Sequence, residues 1–337
     1  MKSLITTFKI LAFYAILIVL NPSSITAQVT TADFLNIGVH ARAMAFGNSF
    51  AGVCNNTAAF YWNPAGLVLT KEITLSGMYA PQFGNWLTTL ASYHHLGITI
   101  PLQNASIAMN WLCLQIDNIP TYPSLDEGSF WDRFYQPTLR PDGQPTGYFT
   151  DREDALFFSF SKLMSFKWEL GWQYHPLSIN APLGISIKSI HQKIGTNQSN
   201  GIGVDFGGLI QFSLNDFFQR LNSGSLQFGM LIQDVFHTNI TWNTRHVNTR
   251  LRKFIFSTGY FYQYNPNLSF CTAVSSTKEW GFECECWTKL CLRMGFQHRT
   301  ICFGAGLKHK SWIVDYLFQQ HELGNCHRLS TDIEIKH

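Results

Sequence analysis

The segment 279–288, EWGFECECWT, changes character at nearly every residue. Trp280, Phe282, Cys284 and Cys286 share one parity, and Glu279, Glu283 and Glu285 share the other. A helix would scatter the three carboxylates around its axis, whereas a strand puts them all on one side. If the apolar side meets lipid, the carboxylates face inward. The reverse arrangement is costly, because a charge on the lipid face of a barrel costs about 2–4 kcal/mol at mid-bilayer, somewhat less for acids.

Other runs repeat the pattern. In 225–233, Leu226, Phe228, Met230 and Ile232 oppose Ser225, Gln227, Gly229 and Gln233. In 311–319, Trp312, Val314, Tyr316 and Phe318 oppose Asp315 and Gln319, and in 327–335, Leu329, Ile333 and Ile335 oppose Arg328, Ser330, Asp332 and Glu334. Strands are predicted at 72–80, 85–92, 95–100, 104–116, 154–164, 167–174, 183–194, 200–213, 224–235, 252–263, 267–275, 278–288, 290–297, 300–308, 311–320 and 326–335. Spanning strands run about 9–11 residues, so 95–100 extends its predecessor. Barrels of one bacterial chain take even strand numbers, and the reading is an all-β, transmembrane antiparallel β-barrel of about 14 strands.

Composition agrees. Charged residues make up 13% and aromatic residues 15%, against about 25% charged in an average soluble chain. Beyond the N-terminal segment no stretch offers 18 uncharged apolar residues, so membrane helices are not expected. In lipid every backbone polar group must be bonded within the protein, so a sheet there has to close on itself. A soluble β-sandwich is the alternative, but its outward faces would be polar, and here an aromatic-rich face runs through nearly every strand.

The organisation reads in three parts. Residues 1–27 have the anatomy of a signal peptide: Lys2 and Lys9, an apolar run from Ile10 to Leu20, a break at Asn21-Pro22 and a small-residue exit ending at Ala27. Residues 28–70 lack sustained alternation, are punctuated by Gly38, Gly47, Gly52 and Gly66, and read as a plug. Residues 71–337 read as the barrel. Without Lys2 and Lys9, 22 basic residues face 21 acidic ones, which gives no reason to expect nucleic acid as a partner.

No nucleophile elbow, phosphate-binding loop or HExxH occurs, so a non-enzymatic chain without cofactor or metal is expected. Gly201-Ile-Gly203 lies within a strand and reads as relief of barrel curvature. His94 and His95 point to opposite faces and cannot chelate one metal together. The eight cysteines form no CxxC and read as small apolar residues facing lipid, with a cross-strand disulfide within 271–302 as the alternative. Parity turns Glu283, Glu285 and Arg293 inward, with Lys188, Asp205, Lys253 and Asp315 as further candidates. Such charges either line a polar passage or pair with one another, and pairing is favoured wherever water is scarce. Two long connections, 117–153 and 236–251, carry Tyr122, Trp131, Phe134, Tyr135, Tyr148, Trp242 and Arg245, residue types suited to partner contacts.

The segment FLNIGVHARAMAFGNSFAGVCNNTAAFYWNPAGL at 34–67 resembles the N-terminal signature of the PorV/PorQ family, itself similar to FadL-type outer-membrane barrels. PDGQPTGYFTDREDALFFSFSK at 141–162, LGISIKSIHQKIGTNQSNGIGVDFGGLIQF at 183–212 and LGNCHRLSTDIEI at 323–335 look similar to later stretches of that family, with Lys188 and Asp205 at favoured positions. Val39-His40, Ala45 and the final His337 depart from the pattern. The resemblance implies a barrel in the outer membrane of a Bacteroidetes-type bacterium, with Arg42, Asn63, Pro64, Ala65 and Gly66 as plug motif. It implies a part in type IX secretion, through binding of secreted proteins with C-terminal sorting domains or of a surface sortase. The alternative is a FadL-like passage for hydrophobic small molecules, gated at Asn63-Pro64-Ala65.

Overall fold

The computed structural model describes residues 31–84, 89–123, 128–136, 139–140, 145–169, 176–218, 223–297, 300–320 and 325–336. The predicted signal at 1–27 lies outside these residues. Among them, no helix is long and apolar enough to cross a bilayer.

Eighteen strands form one sheet. They are β1 (Ile73–Gly84), β2 (Thr89–Pro101), β3 (Ala105–Thr121), β4 (Gly147–Lys162), β5 (Ser165–Trp168), β6 (Leu177–Asn180), β7 (Leu183–Ile194), β8 (Asn197–Ser213), β9 (Ser225–Gln233), β10 (Thr238–Trp242), β11 (Val247–Arg250), β12 (Lys253–Asn265), β13 (Leu268–Ser275), β14 (Trp280–Cys286), β15 (Leu290–Gln297), β16 (Thr300–His309), β17 (Trp312–Gln319) and β18 (Cys326–Ile335). Fourteen of them make the closed antiparallel wall. β4 pairs directly with β7, β9 pairs with β12, and β18 closes on β1 from Ile73↔Ile335 to Tyr79↔Leu329. The hairpins β5–β6 and β10–β11 are additions, and β6 and β10 both lie on β8.

As expected, 95–100 extends its predecessor, and the two candidates fall on one strand, β2, whose described part starts at Thr89. Three other readings change. The candidate at 167–174 is not a wall strand, because its described residues belong to the short hairpin β5–β6. The connection 117–153 narrows to 122–146, since Ile119↔Phe149 and Thr121↔Gly147 remain paired beyond a bulge between Ile116 and Ile119. The second long connection holds the hairpin β10–β11, and so it is not irregular chain.

Alternation sorts side chains between lipid and lumen. Phe158, Phe160, Ile185, Ile187, Phe282 and Phe303 are exposed on the outer face, as an apolar band must be. Glu283, Arg293, Lys188, Asp205 and Asp315 have the opposite parity and are buried. Cys284 follows Phe282 on the outer face, but Cys54, Cys271, Cys302 and Cys326 are buried in the interior, and no disulfide occurs among the described residues.

Residues 31–72 fill the lumen, and the apolar core lies between this plug and the wall. Phe60 stacks on His95 at 5.2 Å and meets Phe157 edge-on at 5.1 Å. Burying such a ring contributes about 1.5–3 kcal/mol. The plug is built from short helical turns with local caps. The Nδ1 of His40 accepts the backbone N–H of Arg42 at 3.3 Å, opening the helix Ala41–Ala45. The side chain of Asn63 accepts the N–H of Ala65 at 3.2 Å and is followed by Pro64 at the first helical position, the arrangement that best satisfies a helix start.

Candidate functional site

The plug is held to one side of the barrel by a belt of inward glycines on seven strands. These are Gly184, Gly207, Gly229, Gly259, Gly281, Gly295 and Gly304. A Cβ at Gly281 would lie 2.5 Å from the Cα of Phe46, and one at Gly295 would lie 2.5 Å from the carbonyl oxygen of Ala45. Gly184 and Gly207 receive Pro64, Gly229 receives Ala51, and Gly259 receives Gly52. At Gly184, Gly229, Gly281 and Gly295 backbone touches backbone, which only residues without a side chain permit. Gly47 has φ of 60° and turns the plug chain against Phe296. Gly201 and Gly203, expected to relieve curvature, make room for other side chains instead. Ile240 sits over Gly201, and Lys188, Thr238 and Asp234 crowd Gly203.

Charges lock the same side. The guanidinium of Arg42 donates to both carboxylate oxygens of Glu283 at 2.9 and 3.0 Å, and to Asn55 at 2.8 Å. Arg293 donates to Glu283 and to Asp315, each at 2.5 Å. Higher in the barrel, Lys188 donates to Asp205 at 2.7 Å and lies 2.8 Å from Asp234. Arg250 joins Asp234 at 3.2 Å and donates to the carbonyls of Thr31 and Ala32 at 3.0 Å. His40 reaches Asp332 at 3.1 Å, and Thr57 donates to the other oxygen of Asp332 at 3.0 Å. These are paired networks in which every buried cation cited has a carboxylate. Truncating one member of such a network strands its partner, at a cost of about 3–5 kcal/mol.

The candidate residues thus fall into groups. Arg42, Glu283, Arg293 and Asp315 form one cluster, and Lys188 and Asp205 form another. Glu285 is only half-buried and accepts from Ser269 at 3.2 Å. Lys253 is exposed and lines a cavity. Asn63 donates to the carbonyls of Ala51 and Gly208, while Pro64, Ala65 and Gly66 are buried, Gly66 against Cys54. This segment is anchored on two sides. His40, Asp234, Arg250 and Asp332 escaped the sequence reading as site residues. Asp332 had the inward parity, but nothing local marks its partner, which lies at the other end of the chain.

At the rim, Phe130–Tyr135 forms a helix capped by Ser129 and Asp132, each bonding the other's backbone N–H. The bonds from Ser129 hold the Asp132 carboxyl below its usual range. Phe130, Trp131, Phe134 and Tyr135 are all exposed on this one turn-and-a-half of helix. Tyr122 and Tyr148 flank the same connection, while Trp242 and Arg245 sit apart at the tip of the β10–β11 hairpin.

Cavities remain on both sides of the plug. One of about 430 Å³ lies toward the long connections, with Ala51, Tyr61, Trp62, Leu231 and Ile255 among its lining. Two others, of about 350 and 410 Å³, lie toward the short turns and share Arg42, Asn55, Glu283 and Glu285. Among the described residues no cluster suited to a metal ion occurs.

No family model matches the sequence, and no curated protein matches it. Among solved structures, the chain is similar to the toluene transporter TodX of Pseudomonas putida, with 9% identity, TM-score 0.44, and coverage of 88% of this chain and 96% of that one. A deltaS2 mutant of the TodX monoaromatic hydrocarbon channel gives 11% identity, TM-score 0.41, and coverage of 89% and 99%. The translocator domain of autotransporter NalP from Neisseria meningitidis gives 10% identity, TM-score 0.32, and coverage of 90% and 100%. The chain itself is a closed 14-stranded antiparallel β-barrel.

Proposed function

We propose that this protein carries small hydrophobic molecules across the outer membrane of a Gram-negative bacterium, with the plug dividing the route. The observation that carries this reading is a lumen divided by the plug, with cavities left on both sides of it. In the cavity toward the long connections, Tyr61, Trp62, Leu231 and Ile255 share the lining with Asp234, Arg250, Lys253 and Glu279. A volume of about 430 Å³ is within the roughly 300–1,000 Å³ usual for small-ligand sites. An apolar solute would leave lipid-like surroundings for Tyr61, Trp62, Leu231 and Ile255. The surrounding Gln233 and Thr249 would keep the mouth wet.

Filling the cavity tests this. Ile255→Trp is expected to lower the entry rate of an apolar fluorophore such as N-phenylnaphthylamine into cells bearing the barrel by about tenfold. A tenfold loss corresponds to about 1.4 kcal/mol. Equal rates for wild type, Ile255→Trp and cells lacking the barrel would rule the reading out.

A second reading rests on the exposed aromatic helix Phe130–Tyr135. Under it, the chain is a type IX secretion or surface-attachment component of the PorV/PorQ kind, and this helix binds secreted proteins or a sortase. Aromatic side chains dominate such contacts. Trp131→Ala combined with Tyr135→Ala is expected to abolish co-purification of sorting-domain proteins from solubilised membranes while barrel folding is retained. Unchanged recovery would remove the helix from that role.

A further inference from the structure

The buried hydrogen-bonding atoms without a partner among the described residues are not scattered. Most lie on one wall, the inner face of β1–β4 and the adjoining β18. Near the short turns, the hydroxyls of Ser76, Thr99, Ser106 and Ser161 are all unpartnered and at most 5% exposed. Register makes them neighbours. Ser106 faces Ser161 directly, Thr99 pairs with Ala108 one step along from Ser106, and Ser76 pairs with Gly97. One layer up, Nδ1 of His95 and Nδ2 of Asn110 are also unpartnered, although the two residues share one bond at 3.0 Å. Above them come Oη of Tyr93 and Nε of Arg328, in a row with Ala80 between them. Arg328 is 3% exposed, pairs with no carboxylate among the described residues, and donates to the carbonyl of Gly38 at 3.2 Å.

The opposite wall is different. There the glycine belt presses on plug backbone, and Arg42, Arg293 and Lys188 are fully paired. On that side Ser257 donates to the carbonyl of Ser49 at 3.0 Å. One side of the plug is clamped by ion pairs and by backbone packed on the glycine belt. The other is joined to the plug by the bonds of His40 and Thr57 to Asp332 and by Phe60 against His95 and Phe157, and it also carries a row of polar atoms left for another partner. Buried polar groups in such a row are satisfied by ordered water. At its lower end the row meets Thr70, whose own hydroxyl is unpartnered and which lines the cavity of about 350 Å³ together with Thr74.

We infer that a hydrated seam runs between the plug and strands β1–β4, from Arg328 and Tyr93 to the lower cavity, and that solute leaves the plug along it. This rests on the transport reading above and gives that reading a route. Separation here leaves the Arg42, Arg293 and Lys188 ion pairs and the glycine belt intact. On the clamped wall it would break ion pairs and backbone packing. A hydroxyl-lined seam with one unpaired cation near its top admits neutral or anionic polar ends and repels cations.

Cysteine accessibility tests the seam without reference to transport. Ser106→Cys and Ser161→Cys are near-isosteric, and retained heat-modifiable migration on gels verifies folding. Each would be treated in intact outer membranes with a small membrane-impermeant methanethiosulfonate. Labelling would be read peptide by peptide, so that the native cysteines serve as references. Both are expected to label at least about tenfold faster than Ser257→Cys on the clamped wall, since local opening sets the rate. Equal, slow labelling of all three would overturn the seam. Entry of N-phenylnaphthylamine into the same cells is then measured before and after labelling. A fall confined to the labelled Ser106→Cys and Ser161→Cys proteins supports the route. Fast labelling with entry no different from cells lacking the barrel leaves the seam standing and overturns the transport reading. Fast labelling with barrel-dependent entry that is undiminished overturns the route.

Discussion

Replacing Gly281 and Gly295 together by Val is expected to unseat the plug while leaving the barrel wall closed. Both glycines face inward on adjacent strands, and both lie against the plug backbone between Ala45 and Gly47. A branched side chain at either position overlaps main-chain atoms, which cannot rotate away as a side chain can. Overpacking of this kind costs about 1–3 kcal/mol per site, and two sites on one plug segment act together. The outer faces of β14 and β15 are untouched, so insertion into lipid is expected to proceed. Conductance in planar bilayers is the direct measurement. Wild type is expected to be closed or nearly so, and the double variant to show large, steady openings. A double variant as silent as wild type would mean that the plug tolerates displacement or that the belt does not hold it.

Glu283→Gln is expected to have the next largest effect, on stability. The carboxylate of Glu283 receives two bonds from Arg42 and one from Arg293, and its side chain is nearly inaccessible. An amide of the same shape keeps the packing and removes the charge. Two buried guanidinium groups then share one remaining carboxylate, Asp315, which among the described residues accepts from Arg293. Breaking a buried pair in this way costs about 3–5 kcal/mol. Glu285→Gln, two residues along on the same face, is the control. Glu285 is half-buried and bonds only a serine hydroxyl, so a change within about 0.5 kcal/mol is expected. Urea titration of the folded band on gels reads both. Equal midpoints for the two variants would show that the Arg42–Glu283–Arg293 cluster contributes no net stability.

The wall of this barrel was legible because lipid on one side and lumen on the other impose a two-residue period. The segment 279–288 shows this well: Trp280 and Phe282 are exposed outward and Glu283 is buried inward. The interruptions were less visible. The hairpins β5–β6 and β10–β11 have strand composition but lean on β8, and composition does not say which neighbour a short strand pairs with. The division between plug and wall was marked by loss of alternation before residue 72. What holds the plug was not marked. Gly201 and Gly207 share a parity and a strand, yet one accommodates Ile240 and the other Pro64. Lys188 and Asp205 sit diagonally across one hairpin, on one face and two residues apart in register, which local reasoning can reach. Asp234 and Arg250 complete that network from another hairpin, and Arg42 finds Glu283 across 241 residues. No local signal encodes such pairings, because closure of the barrel creates them.

The cysteines show the same limit from another side. Alternation placed Cys284 with the lipid-facing residues, where it lies. Small size suits Cys271, Cys302 and Cys326 equally well to a crowded interior, and the structure buries them there.

The most direct test of the account is to locate a heavy apolar solute inside the protein. Crystals of the purified barrel exposed to iodobenzene would be measured for the anomalous signal of iodine. A peak is expected in the cavity bounded by Ala51, Trp62, Leu231 and Ile255, and it is expected to disappear in Ile255→Trp. Iodine found only on the outer apolar band, with the cavity empty in both proteins, would contradict it.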